Sequence, residues 1–212
     1  MVARVTFSGI PTVALDFYED LEADNTKTFW TAHKHIYDES VKAPLEALML
    51  DLEREFGPAK LFRPYRDVRF SKDKTPYKTH QGAWFGESST YLHISAAGLF
   101  LAAGYWDTSS TQVDRLRRAV ADDVAGPALQ RAINAVTKKG NEIGGEQLTR
   151  VPAGYDKDHP RADLLRYKSL TAHREVGCPD WLPTPKAKTE IAKMWRSFAP
   201  LTSWLNTHVG RD

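Results

Sequence analysis

The chain has one cysteine in 212 residues, Cys178, so no internal disulfide can form. That excludes a disulfide-stapled scaffold and fits the reducing cytoplasm, where the protein is expected. No motif surrounds Cys178 in Val176-Gly177-Cys178-Pro179-Asp180, and a buried, inert thiol is expected there. Net charge is nearly absent as well: 29 Lys and Arg stand against 27 Asp and Glu, for a total of +2. Such a balance does not suggest a general nucleic-acid binder, and any basic surface has to be local. No stretch approaches the roughly 18 apolar residues needed to cross a bilayer, so no membrane partner is expected. The opening MVARVTFSGIPTVALDF carries one Arg and no long apolar core, unlike a signal peptide. Gly-x-Ser-x-Gly, Walker and dinucleotide signatures are missing, as are His-x-x-x-His and EF-hand spacings. The sequence indicates no cofactor and no metal. It has no internal repeat and no low-complexity tract.

What is present is ordinary soluble composition, 42% hydrophobic and 26% charged, with six Trp, eight Tyr and nine Phe to fill a core. The length suits a single α+β domain over residues 1–212. Its expected parts are helices over about 10–57, a sheet over about 60–106 and helices again over about 110–209. Pro11-Thr12 opens a helix carrying Phe17, Tyr18 and Leu21, and Asp24-Asn25 breaks it. Phe29, Trp30, His33 and Tyr37 gather on one face of a second helix. A third begins near Ser40, tolerates Pro44 in its first turn, carries Leu45, Leu48, Met49, Leu52 and Phe56, and stops at Gly57-Pro58.

Tyr65–Phe70 reads as a strand, Gly82–Phe85 as a second short one, and Thr90–Ser95 with Leu99–Trp106 as a hairpin turning at Gly98. The sheet, antiparallel or mixed, centres on about residues 62–106. Val113, Leu116 and Val120, then Leu129, Ile133 and Val136, mark two further helices around Gly126-Pro127. Residues 140–161 read as a long polar connection. Ile191, Met194, Trp195 and Phe198, and beyond Pro200 the trio Leu201, Trp204 and Leu205, read as C-terminal helix with its tryptophans in the core. Segregated helices and strands argue for α+β.

The residues richest in chemistry lie between Arg63 and His80. Six cations (Arg63, Arg66, Arg69, Lys72, Lys74, Lys78) face two acids (Asp67, Asp73), with Tyr65, Phe70 and Tyr77 interleaved. Arg offers a planar fork of donors and Lys a point charge, the combination a phosphate or carboxylate site uses. The candidate ligand-binding set is Arg66, Arg69, Lys72, Lys74, Lys78 and His80, with Arg66, Arg69 and Lys78 converging on one anion. The competing reading makes Asp67–Arg69 and Lys72–Asp73–Lys74 structural ion pairs. A third reads the alternation of rings and cations as a surface for single-stranded nucleic acid.

Candidate catalytic groups are His80, His159 and Asp158. His159 follows Asp158 and Asp156 in sequence, and His–Asp proximity can orient an imidazole as a general base. The same Asp158-His159-Pro160 also suits a helix start. His33 and His35 read as surface or partly packed. His93 shares a strand face with Tyr91 and Ser95, where it is either half-buried and satisfied or lines a cleft.

Arg66 to His80 (RDVRFSKDKTPYKTH), Tyr91-Leu92-His93-Ile94-Ser95, Arg150-Val151-Pro152-Ala153-Gly154-Tyr155, Asp158-His159-Pro160 and Leu164-Leu165-Arg166-Tyr167-Lys168 resemble the DUF2461 family. Phe7-Ser8-Gly9 and the Phe29-Trp30 region are similar too. The family pattern there has an Asn-Asn pair and a Trp-Phe pair, where this chain has Asp24-Asn25 and Phe29-Trp30. The resemblance spans nearly the whole chain. It implies a bacterial-type soluble α+β protein and no particular reaction. The functional expectation is binding of a small phosphate- or carboxylate-bearing ligand in a cleft lined by Arg66–His80, with turnover left open. The alternatives are an interaction or scaffold protein in which the motif is structural, and single-stranded nucleic-acid binding. No protein partner is indicated.

Overall fold

The computed structural model describes residues 6–211; the signal-peptide question falls partly on residues 1–5, outside the described residues. Pro11 and Thr12 lead into α1 (Val13–Ala23), which buries Leu15, Phe17, Tyr18 and Leu21. Asp24 leaves helical geometry, and Thr26 starts α2 (Lys27–Ile36), its hydroxyl accepting the Phe29 N–H at 3.1 Å. A fresh helix start near Ser40 is not what forms. α2 widens into one π-helical stretch, Tyr37–Lys42, and continues as α3 (Ala43–Phe56). Pro44 has no N–H to give, and its ring crowds the carbonyl four residues back. The wider turn ahead of it accommodates both. Gly57, at φ 82°, ends α3.

Among the described residues six strands form one antiparallel sheet. They are β1 (Ala59–Leu61), β2 (His80–Phe85), β3 (Thr90–Ser95), β4 (Gly98–Tyr105), β5 (Glu142–Gly144) and β6 (Leu170–Gly177), ordered β1-β2-β3-β4-β6-β5. The fold is α+β, as the sequence indicates. Two strand readings change. Tyr65–Phe70 is a loop in which, among the described residues, only Tyr65 pairs, through one bridge to Tyr77. Residues 140–161 are not uniformly irregular, because β5 pairs Glu142, Ile143 and Gly144 with His173, Ala172 and Thr171. β6 has no strong strand signal, because polar His173-Arg174-Glu175 interrupts its apolar residues.

The remaining helices are α4 (Ser110–Ala121), α5 (Ala125–Thr137), the short α6 (Ala162–Leu165) and α7 (Lys186–His208). Ser109 and Gln112 cap α4 reciprocally, at 3.1 and 3.0 Å. α7 runs unbroken through Pro200 and buries Trp195, Phe198, Leu201, Trp204 and Leu205.

The described residues divide into two compact units, 6–101 with 175–193, and 102–174 with 194–211. In the first, α1 packs on β3, and α3 on β1 and β2. Period-2 alternation sorts the sheet faces. The pairs Gln81↔Ile94, Ala83↔Leu92 and Phe85↔Thr90 are buried, while His80↔Ser95 and Trp84↔Tyr91 stay partly open. In the second, α4 packs on α5 and α6 around Leu116, Val120, Leu129 and Leu165. The Trp204 indole N–H donates to the Ala125 carbonyl at 2.9 Å.

Candidate functional site

The Arg66–His80 segment is anchored at its base by aromatic packing. Tyr77 stacks on Trp30 with centroids 4.3 Å apart and planes 8° from parallel. Around the Tyr65–Tyr77 bridge, the Arg66 N–H donates to Pro76 O at 2.9 Å and the Lys78 N–H to Pro64 O at 2.8 Å. The chain between thus leaves and returns at one place.

Inside the loop the charged side chains largely satisfy one another. Arg66 donates to Asp73 and, at 2.6 Å, to the Thr75 hydroxyl. Asp73 also accepts the Thr75 N–H at 2.9 Å and the Thr75 O–H at 2.8 Å. These bonds from Thr75, and then Arg66, hold the Asp73 carboxyl down at about 2. Arg69 grips Asp67 with both arms of its fork, at 2.9 and 2.7 Å, lowering that carboxyl as well. Lys74 donates to Val68 O at 2.9 Å. Arg66, Arg69 and Lys74 therefore spend donors within the loop, while Lys72 is exposed. Phe70, between them, is 96% exposed.

The segment ends differently. His80 opens β2 on the partly open face of the sheet, and Lys78 precedes it by two residues. The Lys78 ammonium sits 5.4 Å from the centre of the Phe62 ring. His80 lies 4.9 Å, centroid to centroid, from His93 on β3. His93 stacks on Phe100 of β4 at 4.8 Å and 12°, and Tyr91 packs edge-on to both His93 and Phe100. Gly82, opposite His93, leaves the room that the Tyr91 ring occupies: a Cβ there would stand 2.5 Å from the Tyr91 hydroxyl. The result is a floor of Phe62, Tyr91, His93 and Phe100, with Lys78 and His80 along one side.

The electrostatics of this face run in one direction. Burial, and then the charge of Arg63, pulls Lys78 below the ordinary amine value. Burial, and then Lys78, pulls His80 down. Burial, and then His80, pulls His93 down to about 4. No carboxylate is among the causes. Both imidazoles are therefore neutral at pH 7. The His93 Nδ1 is buried without a hydrogen-bond partner among the described residues. Such a face is short of negative charge and holds a polar atom with nothing to bond.

The other candidates lie in the second unit. The His159 Nδ1 accepts the Arg161 N–H at 3.0 Å, at the start of α6. Asp158 is exposed, and its own N–H donates to Asp156 at 2.9 Å. His159 is thus fixed by backbone rather than by Asp158, and it edges a shallow surface cavity of about 400 Å³ with Gln130, Asn134 and Arg161. Cys178 is exposed rather than buried. Among the described residues no group of three or more His, Cys, Asp and Glu side chains is placed to hold a metal ion. Likewise, no helix is long and apolar enough to cross a membrane.

Sequence reasoning passed over Phe62, Phe100 and the role of Asn25, and left His93 between two readings. The signal for His93 was its alternation with buried Leu92 and Ile94.

No curated protein and no solved structure matches the chain. The family described as conserved hypothetical protein (DUF2461) matches residues 13–204. That match takes in α1, the Arg66–His80 loop, the open sheet face and nearly all of α7, and the chain belongs to the DUF2461 family.

Proposed function

We propose that the protein binds a small anionic ligand, a carboxylate or phosphate ester with a flat or apolar body, on the open sheet face. Lys78 and His80 meet the charge, and Phe62, Tyr91, His93 and Phe100 carry the body. The observation that supports this most is the buried, unpartnered His93 Nδ1 beside groups whose charged neighbours are cations. An anion there offsets the repulsion between Arg63 and Lys78 and accepts a hydrogen bond from the His93 Nδ1 in the tautomer that carries its proton there. Arg66 and Arg69, already held by Asp73 and Asp67, brace the approach rather than touch the ligand. The lone thiol is compatible with a cytoplasmic setting.

The test is thermal shift with inorganic phosphate and benzoate on the wild type, Lys78→Met and Arg69→Ala. Binding to the native state raises Tm by mass action. Methionine keeps the packing on Phe62 and removes the charge. The expected result is a shift in the wild type and Arg69→Ala that disappears in Lys78→Met. A shift undiminished in Lys78→Met, or none with either anion, defeats the reading.

The scaffold reading is favoured by one observation, the self-paired loop interior of Asp67–Arg69 and Arg66–Asp73–Thr75. It accounts for residues 66–75 and leaves Lys78, His80 and His93 without a role.

A further inference from the structure

Phe70 is 96% exposed, although full burial of such a ring contributes about 1.5–3 kcal/mol in a core. The loop that carries it is not slack. Its ends are tied by the Tyr65–Tyr77 bridge, and Arg66–Asp73–Thr75, Asp67–Arg69 and Lys74–Val68 brace its interior. The Arg69 guanidinium stands 5.9 Å from the ring centre. A loop this well braced holds its one large apolar side chain in water.

Charge says what such a ring would meet. Residues 63–78 carry +4 in a chain of +2, so the rest of the molecule is net negative. Pairing cancels Arg66 against Asp73 and Arg69 against Asp67. The charges of Arg63, Lys72, Lys74 and Lys78 are left uncancelled by any carboxylate in the segment, and Lys78 lies over Phe62. Uncancelled cations within the same short segment as an open aromatic ring match a polyanion that also offers flat faces.

We propose that the loop is a stacking platform for single-stranded nucleic acid. An unpaired base lies on Phe70, and the neighbouring phosphates meet Arg63, Lys72 and Lys74. Every base has a π-face, so recognition is tolerant of sequence. A duplex keeps its base faces stacked and is the poorer ligand. This inference stands apart from the sheet-face reading, because none of its contacts uses His80 or His93.

The probe is a fluorescein-labelled twelve-nucleotide oligothymidylate, followed by anisotropy with the full chain. Phe70→Ala removes a side chain that packs on little, so its Tm should equal that of the wild type while affinity falls roughly 5- to 100-fold. Phe70→Trp should restore binding. Three phosphate contacts give a slope of log affinity against log salt of about −2, and Lys72→Ala should make it shallower by about 0.7. Equal binding by Phe70→Ala and wild type overturns the proposal, as does binding indifferent to salt. A Phe70 dependence seen on phosphatidylserine vesicles and absent on the oligonucleotide also overturns it, in favour of a membrane surface.

Discussion

Asn25 holds both backbone groups of Tyr77: its Nδ2 donates to the Tyr77 carbonyl at 3.0 Å, and its Oδ1 accepts the Tyr77 N–H at 3.1 Å. A primary amide is the one short side chain that carries donor and acceptor side by side in this way. It thereby ties the turn between α1 and α2 to the return of the basic loop, 52 residues away. Asn25→Ala strands two partly buried backbone groups and should cost about 1–3 kcal/mol. Asn25→Asp keeps the acceptor and turns an oxygen toward the Tyr77 carbonyl, so it should be no better than Ala. Urea midpoints of the three proteins decide it; an Asp variant as stable as the wild type would show that the donor half of the clamp contributes nothing.

His80 and His93 give the protein a pH dependence of known sign. The native value for His93, about 4, lies below the unfolded 6.5, and His80 is displaced the same way. Between these values the unfolded chain binds protons more avidly, so stability rises with pH. The contribution is complete above about pH 6.5 and disappears as pH falls toward 4. At pH 5 the loss from His93 is on the order of 2 kcal/mol relative to pH 7. The groups that set the displacement after burial are His80, Lys78 and Arg63. Asp67 and Asp73 are also depressed, so the comparison belongs above pH 5. Unfolding at pH 7 and pH 5 should show a smaller difference in His93→Gln than in the wild type. Equal differences would refute the assignment.

The helices were legible in the sequence wherever an apolar stripe met a stop signal. Phe17, Tyr18 and Leu21 ended by Asp24, and Leu45, Leu48 and Leu52 ended by Gly57, are clear cases. Tyr91, His93 and Ser95 were correctly placed on one strand face by alternation alone. Three things were not readable. Tyr65–Phe70 has strand composition, but its charges find partners within the loop, and among the described residues no strand runs beside it. β6 hides behind His173-Arg174-Glu175. The continuity of α2 into α3 depends on a single widened turn. At the site, the sequence pointed to a run of cations without saying which were already paired. Only the fold separates Arg66 and Arg69, held by Asp73 and Asp67, from Lys78 and His80 on the sheet.

Gly126 stands at the start of α5 because Arg161 crosses it. The buried guanidinium donates to the carbonyls of Val120 at 2.6 Å and of Ala121 and Asp122 at 3.1 Å, closing the C-terminal end of α4. A Cβ on Gly126 would collide with both Arg161 and the Val120 carbonyl, and backbone cannot swing aside as a side-chain tip can. Gly126→Ala should therefore cost about 1–3 kcal/mol, although alanine is the better helix former. A stability equal to or above that of the wild type in a denaturant titration would show that Arg161 has another route.

Tyr37 reaches the candidate site without touching the ligand surface. Its hydroxyl donates to the Gln81 Oε1 at 2.8 Å, and burial raises its pKa, so it remains a donor at any working pH. Gln81, 1% exposed, passes its own N–H groups to the Phe62 carbonyl at 2.6 Å and the Gly82 carbonyl at 3.1 Å. Phe62 is the ring beneath Lys78, so the π-helical stretch supports the floor of the open face through one amide. Tyr37→Phe leaves that buried oxygen unpaired, at about 1–3 kcal/mol. If the sheet face is the binding site, the same substitution should weaken the anion-induced Tm shift although Tyr37 lies behind the sheet. Loss of stability with a full ligand shift would confine Tyr37 to the core. Loss of both would place Gln81 in the support of the site.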